Sequence, residues 1–242
     1  MGTVYNTNVV SDGLVACWDA GNRASYPGTG TSWTALGAGS AGTLVNTPSF
    51  VDGKMGYFTF DGTDEYAEFE LDEMTFSDPG TIFLWIRWGD GTSTGNIFSA
   101  RQVGGDSAND GFRYPCWGFF NNSDDELKFR TGVGNSQYFD TGLVDDEWAQ
   151  IAVTFYRSSF SPNYYTTPVT LWVNGVEQSV AGGSTPPKAY YLNYGKFRIG
   201  IGDGGPTDPC WSGGFGLIHV YNRRLSAAEI KQNYNSTKVR FT

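Results

Sequence analysis

Three observations predict an all-β fold, a sandwich or a barrel of many short strands. Strand-like apolar segments recur near 97–100, 112–120, 126–131, 149–156, 168–174, 196–201 and 214–221, with turn residues between them. The 242 residues include 33 Gly and 10 Pro and are 16% aromatic, as short strands joined by tight turns require. Asp61-Gly62 and Asn174-Gly175, each beside an apolar run, are dipeptides that tight hairpin turns demand, because Gly and Asn tolerate positive φ. A length of 242 suits one such domain, and no internal repeat, linker or low-complexity segment divides it.

The elements follow in order. Residues 1–12 form a short arm, and residues 13–242 are expected to be the domain. Gly13-Leu14-Val15-Ala16-Cys17-Trp18 reads as the first strand. Residues 19–49 are rich in Gly, Ser, Thr and Ala and read as long surface loops carrying Tyr26 and Trp33 with at most one brief strand, Thr43-Leu44-Val45 being a brief apolar piece. Thr81-Ile82-Phe83-Leu84-Trp85-Ile86-Arg87-Trp88 is apolar on both parities, which predicts a central strand covered on both faces. Near the C-terminus, Ser226-Ala227-Ala228-Glu229 is a capping box that opens a short helix over 226–234. The basic tail Lys238-Val239-Arg240-Phe241 follows it.

Charge and cysteine content narrow the function classes. A formal net charge of -9 argues against nucleic acid and anionic membranes as partners, since both select basic patches. Cys17, Cys116 and Cys210 show no metal-binding spacing and cannot all pair within the chain, so they read as small buried or half-buried residues. The opening Met1-Gly2-Thr3-Val4-Tyr5-Asn6 has neither the basic region nor the apolar core of a signal peptide, so synthesis in the cytoplasm is expected. No apolar run approaches the roughly 18 residues of a membrane helix.

Four phrases stand in a fixed order: Phe60-Asp61-Gly62-Thr63-Asp64-Glu65-Tyr66, Trp148 to Phe155, Leu171-Trp172-Val173-Asn174-Gly175-Val176, and Tyr221-Asn222-Arg223-Arg224-Leu225-Ser226. Together they resemble the laminin-G/pentraxin branch of the concanavalin A-like lectin and glucanase superfamily, from about Gly13 to the C-terminus. The resemblance implies a two-sheet antiparallel jelly-roll sandwich with one short C-terminal helix. It also raises three chemistries. Retaining glycosidases of the superfamily carry Glu-x-Asp-x-Glu, or the same with one extra residue, on one strand. Here Glu70-Leu71-Asp72-Glu73-Met74-Thr75 places Met74 and Thr75 where the last Glu should stand. Glu68, Glu70 and Asp72 share a face opposite Ala67, Phe69 and Leu71, as on any half-exposed strand. His219 is the one histidine, set in a strand, and there is no Gly-x-Ser-x-Gly elbow, so no enzymatic activity is expected.

Many relatives hold calcium in loops at one edge, for which Asp61, Asp64, Asp203 and Asp208 are the candidates here. Relatives often carry Ile-Asp-Glu before the final strand. This chain has Phe215-Gly216-Leu217, one carboxylate fewer, and the Asp residues are also turn formers, so no cofactor is expected. For glycan binding the candidates are rings. If Val169, Leu171 and Val173 face the core, Trp172 points the other way; by the same parity Tyr156 opposes Phe155, and Trp85 or its neighbours face outward. Tyr26, Trp33, Trp85, Tyr156 and Trp172 are therefore the sugar-platform or interface aromatics, with coverage by loops or a subunit the favoured reading.

A narrower resemblance lies in Asp19-Ala20-Gly21-Asn22, Ser25-Tyr26-Pro27-Gly28 and Trp33, with Tyr221 to Ile230 and Asn233-Tyr234-Asn235 at the end. These are similar to laminin-G-like domains in virion proteins of tailed phages, those of marine cyanophages above all. It implies a non-enzymatic structural protein of the virion: a capsid decoration, head fibre or tail-associated protein. Its partners would be other virion proteins and copies of itself, with host-surface glycan as a ligand. The alternative is a free carbohydrate-binding lectin or a degenerate glycoside hydrolase. On the virion reading, Val4, Tyr5, Val9 and Val10 give the arm its apolar contacts with a neighbour.

Overall fold

The computed structural model describes residues 8–70, 79–89, 95–102, 117–121, 126–131, 136–156, 159–161, 164–166, 168–183, 188–189, 194–201 and 210–242. In chain order the first ten strands are β1 (Leu14–Asp19), β2 (Ser32–Trp33), β3 (Gly42–Val45), β4 (Ser49–Val51), β5 (Tyr57–Asp61), β6 (Tyr66–Glu70), β7 (Gly80–Arg87), β8 (Asn96–Gln102), β9 (Trp117–Asn121) and β10 (Glu126–Thr131). Then come β11 (Ser136–Asp140), β12 (Trp148–Phe155), β13 (Ser159–Ser161), β14 (Tyr164–Thr166), β15 (Val169–Val173), β16 (Val176–Glu177), β17 (Val180–Gly183), β18 (Lys188–Ala189), β19 (Tyr194–Ile199) and β20 (Ser212–Tyr221). Helix α1 (Ala227–Thr237) and a 3₁₀ turn, α2 (Lys238–Arg240), end the chain.

Two antiparallel sheets face each other. One runs β16-β15-β12-β7-β20-β5-β4 with β1 added beside β20, and the other runs β17-β11-β10-β9-β8-β19-β6-β3-β2. A small sheet of β13, β14 and β18 stands apart from both. The ten-residue β20 serves three neighbours. Ser212 to Phe215 pair with β5, Leu217 to Tyr221 pair with β1, and β7 runs along the other side. The expected two-sheet antiparallel sandwich with one short C-terminal helix is what the chain forms.

Parity sorts the apolar residues into two cores. Ile82, Leu84 and Ile86 of β7, Ile151 and Val153 of β12, and Leu171 and Val173 of β15 point between the sheets, where they meet Phe69, Phe98 and Phe197. The opposite parity, Phe83, Trp85, Ala152, Trp172, Leu217 and Tyr221, forms a second core on the outer face of the eight-stranded sheet. Helix α1 and the tail cover it. Ser226 and Glu229 make the capping box reciprocally, and Ile230 and Phe241 are buried against the sheet. Trp85 stacks on Phe241 at 4.6 Å with 13° between planes, and its indole Nε1–H donates to Thr237 Oγ1 at 2.7 Å. That hydroxyl in turn donates to Asn233 carbonyl oxygen.

Three expectations are corrected. Residues 19–49 are not surface loops around Tyr26 and Trp33. They contain β2, β3 and the start of β4, and both rings lie in the inner core, edge-on to Phe58 at 4.7 and 4.8 Å. Composition disguised this, because small residues were needed for close approach: a Cβ at Gly42 would sit 2.3 Å from the Phe69 ring. Asp61-Gly62 does not close a hairpin, since β5 and β6 belong to different sheets. Asn174-Gly175 does, with both residues at positive φ, 51° and 73°, joining β15 to β16. The third correction concerns the N-terminal arm. Val10 is buried, its N–H donates to Asn233 Oδ1 and its carbonyl accepts from Tyr221 hydroxyl, so it is spent within its own chain. Val9 is half-buried beside it, while Val4 and Tyr5 lie outside the described residues.

Two substitutions test the outer core. Thr237→Val strands the buried Trp85 Nε1–H without an acceptor and should cost about 1–3 kcal/mol of unfolding free energy by urea titration. Gly216→Ala would place a Cβ 2.5 Å from the Phe241 ring. It should destabilise by about 1–3 kcal/mol, and Phe241→Leu in the same chain should recover part of the loss.

Candidate functional site

The sheets differ in what their outer faces offer. On the eight-stranded sheet the rings proposed for a platform are covered. Trp85 is fully buried and Trp172 is 8% exposed, both in the outer core with Leu225, Ile230 and Phe241. Tyr156, half-buried at the end of β12, carries the Arg224 guanidinium 4.4 Å from its ring centroid. Tyr26 and Trp33 lie between the sheets. Four of the five candidate rings therefore cannot stack on a ligand at the surface. The cover over Trp85 and Trp172 comes from the chain's own C-terminus.

The outer face of the nine-stranded sheet is different in character. Alternation places Tyr66 and Glu68 of β6, Arg198 of β19, Ser99 of β8, Lys128 of β10 and Tyr138 of β11 outward, while Ala67, Phe69, Phe197, Ile199, Phe129 and Phe139 face the core. Glu68, Arg198 and Ser99 stand directly opposite one another in register. Arg198 Nε and Nη2 both reach Glu68 Oε2, at 2.7 and 2.6 Å, and its side chain is only 9% exposed. The guanidinium lies 5.2 Å from the Tyr66 ring centroid, and Lys128 Nζ lies 4.7 Å from that of Tyr138. Each tyrosine is half-buried and held by a cation. Glu126 and Ser136 flank the second pair, half-buried on the same face. The face thus combines ring surfaces with fixed donors and acceptors.

Sequence reasoning missed this site. Glu68 was seen as one of an outward row, and that much was legible from alternation. Its partner Arg198 is 130 residues away, and only the β6–β19 register joins them. Of the other glycosidase-like positions, Glu70 is exposed at the end of β6, and 71–78 lie outside the described residues.

The calcium candidates divide in the same way. Asp61 and Asp64 lie in the crossover from β5 to β6. There Asp61 Oδ1 accepts from Thr63 N–H, Glu65 Oε2 accepts from Asp61 N–H, and Asp64 carbonyl oxygen accepts from the Asn46 amide. Burial, with Asp61 and Asp64 nearby, pushes the Glu65 carboxyl above its usual range. Asp203 and Asp208 lie outside the described residues, among which no group of three or more His, Cys, Asp or Glu is arranged to hold a metal. Cys17 and Cys210 are buried, and burial raises the Cys17 pKa; Cys116 lies outside the described residues. His219 is buried, stacks on Phe83 at 5.5 Å, and has an Nδ1 with no hydrogen-bond partner. Burial and the charge of Arg240 push its imidazole down to about 3, so it is neutral at pH 7. No described helix is long and apolar enough to cross a membrane.

Several solved structures share this architecture. Trypanosoma rangeli sialidase superposes with a TM-score of 0.67 at 18% identity over 97% of this chain, which spans 34% of the sialidase. Domain 4 of AbnA, a GH43 extracellular arabinanase from Geobacillus stearothermophilus, solved in complex with arabinotriose, gives 0.57 at 14% identity over 91% of this chain and 98% of that domain. The binding domain of botulinum neurotoxin DC in complex with SialylT gives 0.62 at 10% identity, over 93% of this chain and 52% of that one. At such identities the likeness is one of fold. No curated protein matches the chain in sequence. A laminin-G family model, described as the concanavalin A-like lectin/glucanases superfamily, matches residues 61–231. The chain therefore belongs to the concanavalin A-like lectin/glucanases superfamily, in its laminin-G branch.

Proposed function

We propose that this protein is a non-enzymatic carbohydrate-recognition module that uses the outer face of its nine-stranded sheet, and that it serves as a structural protein of a tailed-phage virion. The observation that carries the recognition reading is the pairing of Tyr66 with Arg198 and Glu68, and of Tyr138 with Lys128, on one face. Sugars present apolar ring faces edged by hydroxyls, and these residues offer rings beside donors and acceptors. Because cations and ion pairs already hold the rings, little ordering remains to be done on binding. The ligands in the neurotoxin-domain and arabinanase-domain complexes, SialylT and arabinotriose, agree with this class of ligand.

The non-enzymatic part rests on the state of the acid–base groups. The one histidine is buried and neutral, and Glu68 is tied to Arg198. The virion reading rests on the phage-like opening and ending. Asp19, Tyr221 and Glu229 from those phrases all hold the C-terminal cover in place. On that reading the partners are other virion proteins and further copies of the chain, with host-surface glycan as ligand. The net charge of -9 directs it away from nucleic acid.

Glycan-array binding followed by titration calorimetry tests the recognition surface. Tyr138→Ala and Tyr66→Ala should each weaken binding about tenfold, or ~1.4 kcal/mol, with unchanged unfolding midpoints. Release of product from the bound oligosaccharide, or affinity untouched by both substitutions, would overturn the reading. Mass spectrometry of purified particles should find the chain in fixed stoichiometry with the capsid protein, and its absence there would remove the virion assignment. No cation is required, so EDTA should leave the melting temperature unchanged. A rise of several degrees on adding calcium, lost in Asp61→Asn, would assign the β5–β6 crossover to that ion instead.

A further inference from the structure

The cover over the eight-stranded sheet is pinned at both ends by ion pairs. At the start of α1, Glu229 receives Arg223 on both oxygens, at 2.6 and 3.1 Å, along with the Ser226 N–H and hydroxyl. At the far end, Arg240 of α2 meets the Asp19 carboxylate with both arms at 2.6 and 2.7 Å, and its Nε–H donates to Met55 carbonyl oxygen. Beneath that clamp lies a cavity of about 200 Å³ lined by Val9, Cys17, His219, Thr237, Arg240 and Phe241. Cys17 and His219 are direct cross-strand partners in β1 and β20. The imidazole Nδ1 there is buried and unpartnered. Between the two ends the cover is held by neutral bonds, Thr237 to Trp85 and Asn233 to Tyr221 and Val10.

We propose that the C-terminal helix is an acid-released clasp: protonation of His219, and at lower pH of Glu229, lets α1 and α2 lift from the eight-stranded sheet while the inner core stays folded. The groups facing His219 are Cys17 and Asp19 from β1, Tyr221 on its own strand and Arg240 from α2; Phe83 of β7 does not titrate. Burial keeps the thiol and the phenol neutral, and the Asp19 carboxylate is taken up by both arms of Arg240. An imidazolium therefore adds a positive charge at a buried side chain beside a guanidinium. Opening the clasp lets water reach it.

The direction follows from linkage. The closed clasp holds His219 near 3, against an ordinary value of 6.5, so the opened state binds a proton that the closed state refuses. Closure is undiminished above about 6.5 and weakens about tenfold per pH unit from there down towards 3. Arg223 and the Ser226 groups hold Glu229 near 2, against 4.5, so its pairing is complete above 4.5 and is lost as pH falls towards 2. Both groups act in the same sense: Glu229 sits on α1, and His219 on β20 lines the cavity beneath α2. Neither belongs to the core between the sheets.

Amide hydrogen exchange on the full chain, corrected for intrinsic rates, tests the clasp at pH 7 and pH 5. Amides of 227–241 should open about 25-fold more often at pH 5, while those of β7 and β12 keep their protection. His219→Gln should make the helix insensitive over this range. Equal acceleration of helix and core, unchanged helix protection at pH 5, or a His219→Gln chain that keeps the full pH response would each overturn the proposal. A second measurement needs no variant. His219 is the one histidine in the chain, so its ring proton gives a single resonance. It should stay in the neutral position to well below pH 6 while the helix is protected, and a midpoint at 6.5 with the helix still protected would contradict the clasp.

Discussion

Strand β7 can be stable only if it is covered twice, and most of the architecture answers that demand. Its residues Ile82, Leu84 and Ile86 are buried between the sheets, and Phe83 and Trp85 are buried on the other side. A strand in a two-sheet sandwich ordinarily has one wet face. Here the second face carries enough aromatic surface that leaving it exposed would invite association. The chain supplies its own cover. Helix α1 brings Ile230, Phe241 brings its ring onto Trp85, and residues 8–10 close the side through Asn233 and Tyr221. Gly216 leaves room for Phe241, and Gly21 lets the Arg240 guanidinium pass to Asp19. These small residues look unremarkable in sequence; Gly216 is fixed by the Phe241 ring, and Gly21 by the Met55 carbonyl and Arg240.

The outward residues described on the other sheet are polar and range from buried Ser99 and Arg198 to half-buried Tyr66 and Tyr138. The nine-stranded sheet shows the simpler pattern of apolar residues inward and polar residues outward, and its outward set is organised. The Arg198–Glu68 pair is nearly dry, and a buried ion pair is weak evidence for stability because desolvation offsets much of the attraction. Its more useful consequence is position. Arg198 fixes Tyr66 on one flank, Lys128 fixes Tyr138 on the other, and the strands between set their separation.

Much of the fold was legible in the sequence because it depended on local periodicity. The both-parity run at 81–88 gave the central strand, alternation at 169–173 placed Trp172 opposite Leu171, and the Ser226–Glu229 box located the helix start. What depended on distant pairing was not legible. Residues 19–49 looked like loops because Gly42 and its neighbours are small, and their smallness serves contact with Phe69, a residue later in the chain. Asp61-Gly62 carries a hairpin's local signal, but its two strands part to different sheets. Likewise the site was half visible: Glu68 announced itself, while Arg198 became its partner only through register. Trp85 and Trp172 were right in parity, and what covers them arrives from the last twenty residues, whereas Tyr26 and Trp33 lie between the sheets.

The central claim is a division of labour, one sheet sealed by the chain's own terminus and the other free to recognise. The most direct measurement is a chemical-shift map of the full-length protein titrated with a bound oligosaccharide from an array screen. The account predicts that perturbed amides cluster on β6, β19, β10 and β11, around Tyr66, Arg198, Lys128 and Tyr138, with Trp85 and Trp172 indole signals unmoved. Perturbation centred on Trp85, Trp172 and helix α1, with the nine-stranded sheet silent, would contradict it.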